Sequence, residues 1–137
     1  MASHRIEARS KKLRKFVRVK PEDGSPIKVD LNGDGLIDSF NVNDISQSGV
    51  SLDLKHPIDE SNKELQVNLI ISLPNPVNSN VSVIGIIKHI DSKILGIMFS
   101  EMEESDRNKI REFVHYRLRP TTSGLFGRIL DWFDVPT

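Results

Sequence analysis

Cysteine is absent from this 137-residue chain, which rules out disulfides and thiolate metal sites and is compatible with a reducing cytoplasm. No apolar run approaches the roughly 20 residues needed to cross a bilayer. The first residues also lack the uninterrupted apolar core of a secretory signal, so the expected location is cytoplasmic. Catalytic arrangements are missing too. His4, His56, His89 and His115 show neither metal-ligand spacing nor a paired nucleophile, and no glycine loop of the phosphate-binding kind occurs. His89 falls in a strand-like stretch and reads as structural. An enzyme is not expected.

Net charge is absent as well, 19 Lys and Arg against 19 Asp and Glu, but the balance hides an asymmetry. Arg5, Arg9, Lys11, Lys12, Arg14, Lys15, Arg18 and Lys20 crowd the first twenty residues against the single acid Glu7, so the remainder is net acidic. Such an arm draws in anionic ligands, whether phosphates, nucleic acid or acidic lipid. It is equally what a solvated tail looks like.

The middle of the chain reads as β-structure. Apolar residues recur with period two at Ile27, Val29 and Leu31, at Phe40 and Val42, and at Val50, Leu52 and Leu54. The rhythm continues at Leu65, Val67, Leu69, Ile71 and Leu73, at Val81 and Val83, and at Leu95, Ile97 and Phe99. Breakers separate these runs at Asn32 to Gly35, Ser48-Gly49, His56-Pro57 and Pro74-Asn75-Pro76. Six or seven short strands at this spacing predict an antiparallel sandwich or a closed barrel. After Ser100 the period changes. Ile110, Phe113, Val114 and Leu118 form a helical stripe over 105–119, with Ser105 or Asp106 as the expected cap and Pro120 as the stop.

Two short patterns carry chemistry. Arg14-Lys15-Phe16-Val17-Arg18 is an RxxxR at the junction of the arm and the first strand. In extended chain its two arginines point to the same side about 13 Å apart, at ~3.3 Å per residue. Guanidinium groups suit phosphate oxygens and the O6/N7 edge of guanine. Asp44-Ile45-Ser46-Gln47-Ser48-Gly49 is a DxSxxG between two strands. Alternation places Asp44 and Ser46 on one side and turns Ile45 toward the core. The carboxylate accepts from the N–H donors of guanine's Watson–Crick edge, and the hydroxyl donates or accepts. Gly49 supplies a left-handed turn or admits a close backbone approach. Taken singly, the first pattern is also a solvated basic face and the second an ordinary turn.

In this order the two patterns resemble the PilZ domain, a family of cyclic di-GMP receptors whose signature is RxxxR followed roughly 20 to 30 residues later by [D/N]xSxxG. Leu65 to Leu73 with Pro74, Leu95-Gly96-Ile97-Met98-Phe99 and Ile110 to Leu118 are similar to its long strand, last strand and C-terminal helix. The resemblance implies a mainly β fold, a six-stranded antiparallel barrel with a C-terminal helix. It implies three segments: a flexible basic arm over 1–18, the barrel and helix over 19–119, and an amphipathic tail over 120–137. It further implies cyclic di-GMP as ligand, with Arg14, Arg18, Asp44, Ser46 and Gly49 as its site and the arm closing over it. Leu13, where an arginine accompanies two stacked ligands in the family, implies one ligand molecule, although Lys11, Lys12 and Lys15 could neutralise a second.

Other readings stay beside this one. Asp30, Asn32, Asp34 and Asp38, with Gly35 at the sixth position, have the spacing of a calcium loop. The twelfth position, however, is Asn41 instead of glutamate, and strands flank the segment; an Asn/Asp/Gly hairpin turn is the favoured reading. Leu125, Phe126, Ile129, Leu130, Trp132 and Phe133 give the tail an apolar face for the barrel, a partner protein or a membrane surface. The functional alternatives are an adaptor that keeps the fold but works by protein contact, and a nucleic-acid binder using the arm. The first would show no nucleotide-induced stabilisation; the second would show a steep salt dependence with DNA or RNA. The expected downstream partner is an unidentified protein.

Overall fold

Strict alternation makes a strand amphipathic, and six such strands can bury every inward face by closing on one another. The computed structural model, which describes residues 16–119, does this. In chain order the strands are β1 (Lys28–Gly33), β2 (Leu36–Ile45), β3 (Gly49–Asp53), β4 (Gln66–Leu73), β5 (Ser79–Ile90) and β6 (Ile94–Glu101). Every neighbouring pair is antiparallel, and the order β1-β2-β3-β6-β5-β4 closes through the β1–β4 pairing. The fold is therefore mainly β, a closed six-stranded barrel.

β4 shows the sequence logic best. Val67, Leu69, Ile71 and Leu73 are buried while Gln66, Asn68 and Ile70 face out. The same inward set includes Val29 and Leu31 of β1, Phe40 and Val42 of β2, Leu52 of β3 and Leu95 of β6. β5 runs to Ile90, well beyond the Val81–Val83 alternation that marks it in the sequence. The difference has a physical cause: its twofold rhythm is interrupted after Ile87, where the pairing with β6 shifts register. Leu54 falls just past β3 and packs, half-buried, against the core.

Among the described residues a single α-helix follows, α1 (Glu104–Leu118), whose Ile110, Phe113 and Val114 join the core of the barrel. The expected cap at Ser105 or Asp106 is incorrect. Glu103 is the N-cap and makes no side-chain cap bond, while Asp106 sits inside the first turn. Tertiary demand overrides local capping there, because the nearly buried Asp106 carboxylate accepts the Ser82 backbone N–H at 3.2 Å. Glu104 and Asp106 still place negative charge at the positive end of the helix dipole. At the other end, Arg117 Nε donates to the Lys20 carbonyl at 2.7 Å. This ties the helix to the segment that enters the barrel.

Val19 is buried and joined to Ile45 by reciprocal backbone bonds of 2.9 Å. Most of the basic arm and the whole 120–137 tail lie outside the described residues. Among the described residues no helix is long and apolar enough to cross a membrane.

Candidate functional site

Two β-bulges shape one outer wall of the barrel. Along β2, Val42 pairs with Leu52 but Asp44 with Ser51, so Asn43 is the extra residue. Phe40 and Val42 point inward, and uninterrupted alternation would carry Asp44 into the core. The extra residue reverses the phase: Ile45 is fully buried and Asp44 is turned out of the interior. Asp44 Oδ1 then accepts the Ser51 hydroxyl at 2.8 Å. Asn43 reaches Ser51 Oγ at 3.4 Å and accepts Lys20 Nζ at 3.1 Å, linking Asp44 to the chain just after Arg18.

Ser46 and Gly49 form the corner after Asp44. The Ser46 hydroxyl accepts the Ser48 N–H at 3.1 Å and lies 3.5 Å from the Gly49 carbonyl, so it clamps its own turn. Of the two roles expected for Gly49, close approach is the one observed. A Cβ there would lie 2.6 Å from the Ile97 carbonyl oxygen, and the Gly49 backbone is not left-handed. That contact lets β3 pair tightly with β6, and Ser48 accepts the Phe99 N–H at 2.9 Å.

These features border a recess of about 290 Å³. Arg18, Asp44, Ser46 and Gly49 line one side, Gly96 and Met98 of β6 lie across its middle, and Lys88 and His89 of β5 stand beyond. Arg18 is thus brought to the DxSxxG motif by the Val19–Ile45 bridge. Arg14 lies outside the described residues. The recess is at the small end of ligand clefts, about 300–1,000 Å³. Its chemistry is mixed, with cations at two edges, a carboxylate, and the apolar Met98 between them.

Lys88, His89 and Met98 were not legible as site residues. Read by period two from Val83 and Gly85 through Ile87, His89 belongs in the interior, but Ile87 pairs with Ile97 and His89 with Gly96, making Lys88 an extra residue. The bulge exposes both Lys88 and His89. The available signal was the broken rhythm of Ile86-Ile87-Lys88-His89-Ile90, two apolar residues followed by two polar ones. His89 Nε2 lies 3.0 Å from Asp91 Oδ2. The Asp91 carboxyl is held below its ordinary range, first by the Lys93 N–H and then by His89 and the Ile94 N–H.

The Asp30–Asp38 segment forms a hairpin with its turn at Asp34-Gly35, where Gly35 adopts φ +79°. Asp30 pairs with Ser39, whose hydroxyl it accepts at 2.6 Å, whereas Asp38 pairs with Leu31. Directly opposed residues share a face, so Asp38 lies on the opposite face from Asp30 and Asn32. Among the described residues no group of three acidic or histidine side chains is placed to hold a metal ion.

The closed barrel thus carries on its outer wall a recess with cations at two edges and a carboxylate. The model of the PilZ domain family matches residues 12–116, and the chain belongs to that family, one of cyclic di-GMP receptors and adaptors and not of enzymes. A comparison with curated proteins returned no match. Among solved structures, the Bacillus subtilis inhibitor of motility MotI/DgrA is similar at TM-score 0.62 and 16% identity, over 76% of this chain and 50% of that one. The PilZ domain of Escherichia coli YcgR with c-di-GMP has TM-score 0.62 at 9% identity, over 75% of this chain and 89% of that one. The K. pneumonia MrkH–c-di-GMP complex gives 0.61 at 14%, over 74% and 50%. The chain therefore spans about half the length of the Bacillus and Klebsiella proteins. At these identities the likeness is one of fold.

Proposed function

We propose that this protein is a cyclic di-GMP receptor that binds the dinucleotide at the recess and passes the binding event to a downstream protein. The carrying observation is convergence: Arg18 and the Asp44–Gly49 motif, distant in sequence, line one recess. Each has the polarity the ligand needs. Arg18, with Arg14 from the arm, engages phosphate and the guanine Hoogsteen edge, and Asp44 accepts from guanine N–H donors. Ser46 and Gly49 hold the turn that presents Asp44. Family membership and the c-di-GMP complexes of YcgR and MrkH support the same ligand.

The recess alone is small for a cyclic dinucleotide, so part of the ligand stands above it, where the basic arm would cover it. Binding would fix the arm against the barrel, a change a partner protein can read. Leu13 before Arg14 favours one ligand molecule per site.

Calorimetric titration with cyclic di-GMP, with GTP and cyclic GMP as controls, tests this. Arg18→Ala removes charge-assisted hydrogen bonds worth about 1.5 to 3 kcal/mol and should weaken binding about tenfold to 150-fold, with the melting temperature unchanged. Undiminished affinity in the Arg14→Ala, Arg18→Ala double variant would show the site is elsewhere. Amide exchange across the visible end of the arm, at Val17 and Arg18, should slow with ligand. Equal protection in both states would remove the arm from the mechanism.

A further inference from the structure

We infer that Lys88 is a second anion-binding residue of this site, standing across the recess from Arg18 and making the site selective for a ligand with two separated negative groups. This rests on the cyclic di-GMP reading above and deepens it.

The placement is specific. Lys88 is the extra residue of the β5 bulge, the one position on that strand freed from a cross-strand partner by the register shift. Bulges are features that re-aim side chains, and they concentrate beside binding sites. Here the second bulge faces the first across β3 and β6: Asn43 re-aims Asp44 on one border, and on the other Lys88, outward by alternation, is joined by the re-aimed His89. Gly96 keeps the passage between them open, since a Cβ there would meet the His89 Cβ at 3.1 Å. Three inter-strand steps separate Asp44 on β2 from Lys88 on β5, or roughly 14 Å at about 4.8 Å each. A ligand with two anionic groups on a rigid ring can touch both walls. A mononucleotide satisfies one.

Lys88 is also held in readiness. Its Nζ lies 2.9 Å from Glu64 Oε1, both side chains being largely exposed. Glu64 adopts φ +72°, a left-handed conformation unusual for a side-chain-bearing residue, and its N–H donates to the Ile87 carbonyl at 2.7 Å, immediately before the bulge. An exposed pair of this kind adds little stability. It does fix where the ammonium waits. On the other side His89 and Asp91 brace the end of the bulge, with Asp91 Oδ1 accepting the N–H groups of Lys93 at 2.8 Å and Ile94 at 2.7 Å. A phosphate entering the recess would compete with Glu64 for Lys88, so the acid acts against the ligand.

That competition makes the test decisive. Calorimetry on the full chain compares wild type, Lys88→Met, Glu64→Gln and the double variant, with cyclic di-GMP as titrant. Lys88→Met keeps the aliphatic stem and should weaken binding about tenfold or more. Glu64→Gln frees the ammonium and should tighten binding; the double variant should match Lys88→Met. Melting temperatures should stay together in all four. If Lys88 only serves its ion pair, Lys88→Met and Glu64→Gln are equivalent. Affinities that move in the same direction, or stay at the wild-type value, overturn the inference while leaving the receptor reading intact. Wild-type protein that fails to bind cyclic di-GMP refutes the receptor reading itself, and this inference with it.

Discussion

The β1–β4 wall and the β3–β6–β5 wall are made from the same kinds of residue but obey different rules. β1 pairs with β2 and with β4 without a register shift, as does β4 with β5 throughout its length. The wall bearing the recess is interrupted once in β2 and twice where β5 meets β6. Regular pairing maximises buried apolar area and leaves an outer face without particular direction. An extra residue breaks the ladder locally, at some cost in stability, and points a polar side chain where alternation would not put it. The regular wall thus serves the core, and the bulged wall carries the recess proposed for the ligand.

The comparison can be broken in order of expected effect. Leu69 is fully buried in the regular wall, so Leu69→Ala should cost about 2 to 5 kcal/mol of stability, visible as a lower urea midpoint. The surviving folded fraction should bind with wild-type affinity. A change in affinity at constant stability would mean the two walls are not separable.

Gly49 sits where the walls' demands meet, because the ligand-side turn depends on tight β3–β6 pairing. Gly49→Ala forces a Cβ into the Ile97 carbonyl and should cost about 1 to 3 kcal/mol of stability. It should also weaken ligand binding, because the Ser46–Ser48 turn shifts with the strand. Stability lost with affinity intact would show that the turn does not present Asp44.

The smallest effect is expected of calcium. With Asp38 on the opposite face of the hairpin from Asp30 and Asn32, millimolar calcium should leave the melting curves of wild type and Asp34→Ala superimposed. A rise confined to wild type would restore the calcium-loop reading.

Much of the fold was legible because its determinants are local and periodic. Val67, Leu69 and Ile71 announce β4 by themselves, and Ile110, Phe113 and Val114 announce the helix; solvent and core impose the same alternation anywhere in a chain. Asp44, Ser46 and Gly49 were legible through their motif, and Arg18 through its spacing from Arg14. The reason for Gly49 was left between two alternatives, since the Ile97 carbonyl that decides it lies on a strand far along the chain. The helix start was misplaced for a similar reason: Asp106 answers to Ser82 and not to its own backbone.

The sequence by itself determined the barrel's inward faces, the helix stripe, the charge asymmetry and the two motifs, all of them properties of residues a few positions apart. Only the tertiary structure decided that Arg18 meets Asp44, that His89 leaves the core, and that Lys88 stands across the recess on Glu64. Those outcomes depend on register between strands, and register is set by the sum of many pairings around a closed barrel. One extra residue inverts a side chain's face, and no short window of sequence carries the partner strand that makes it extra.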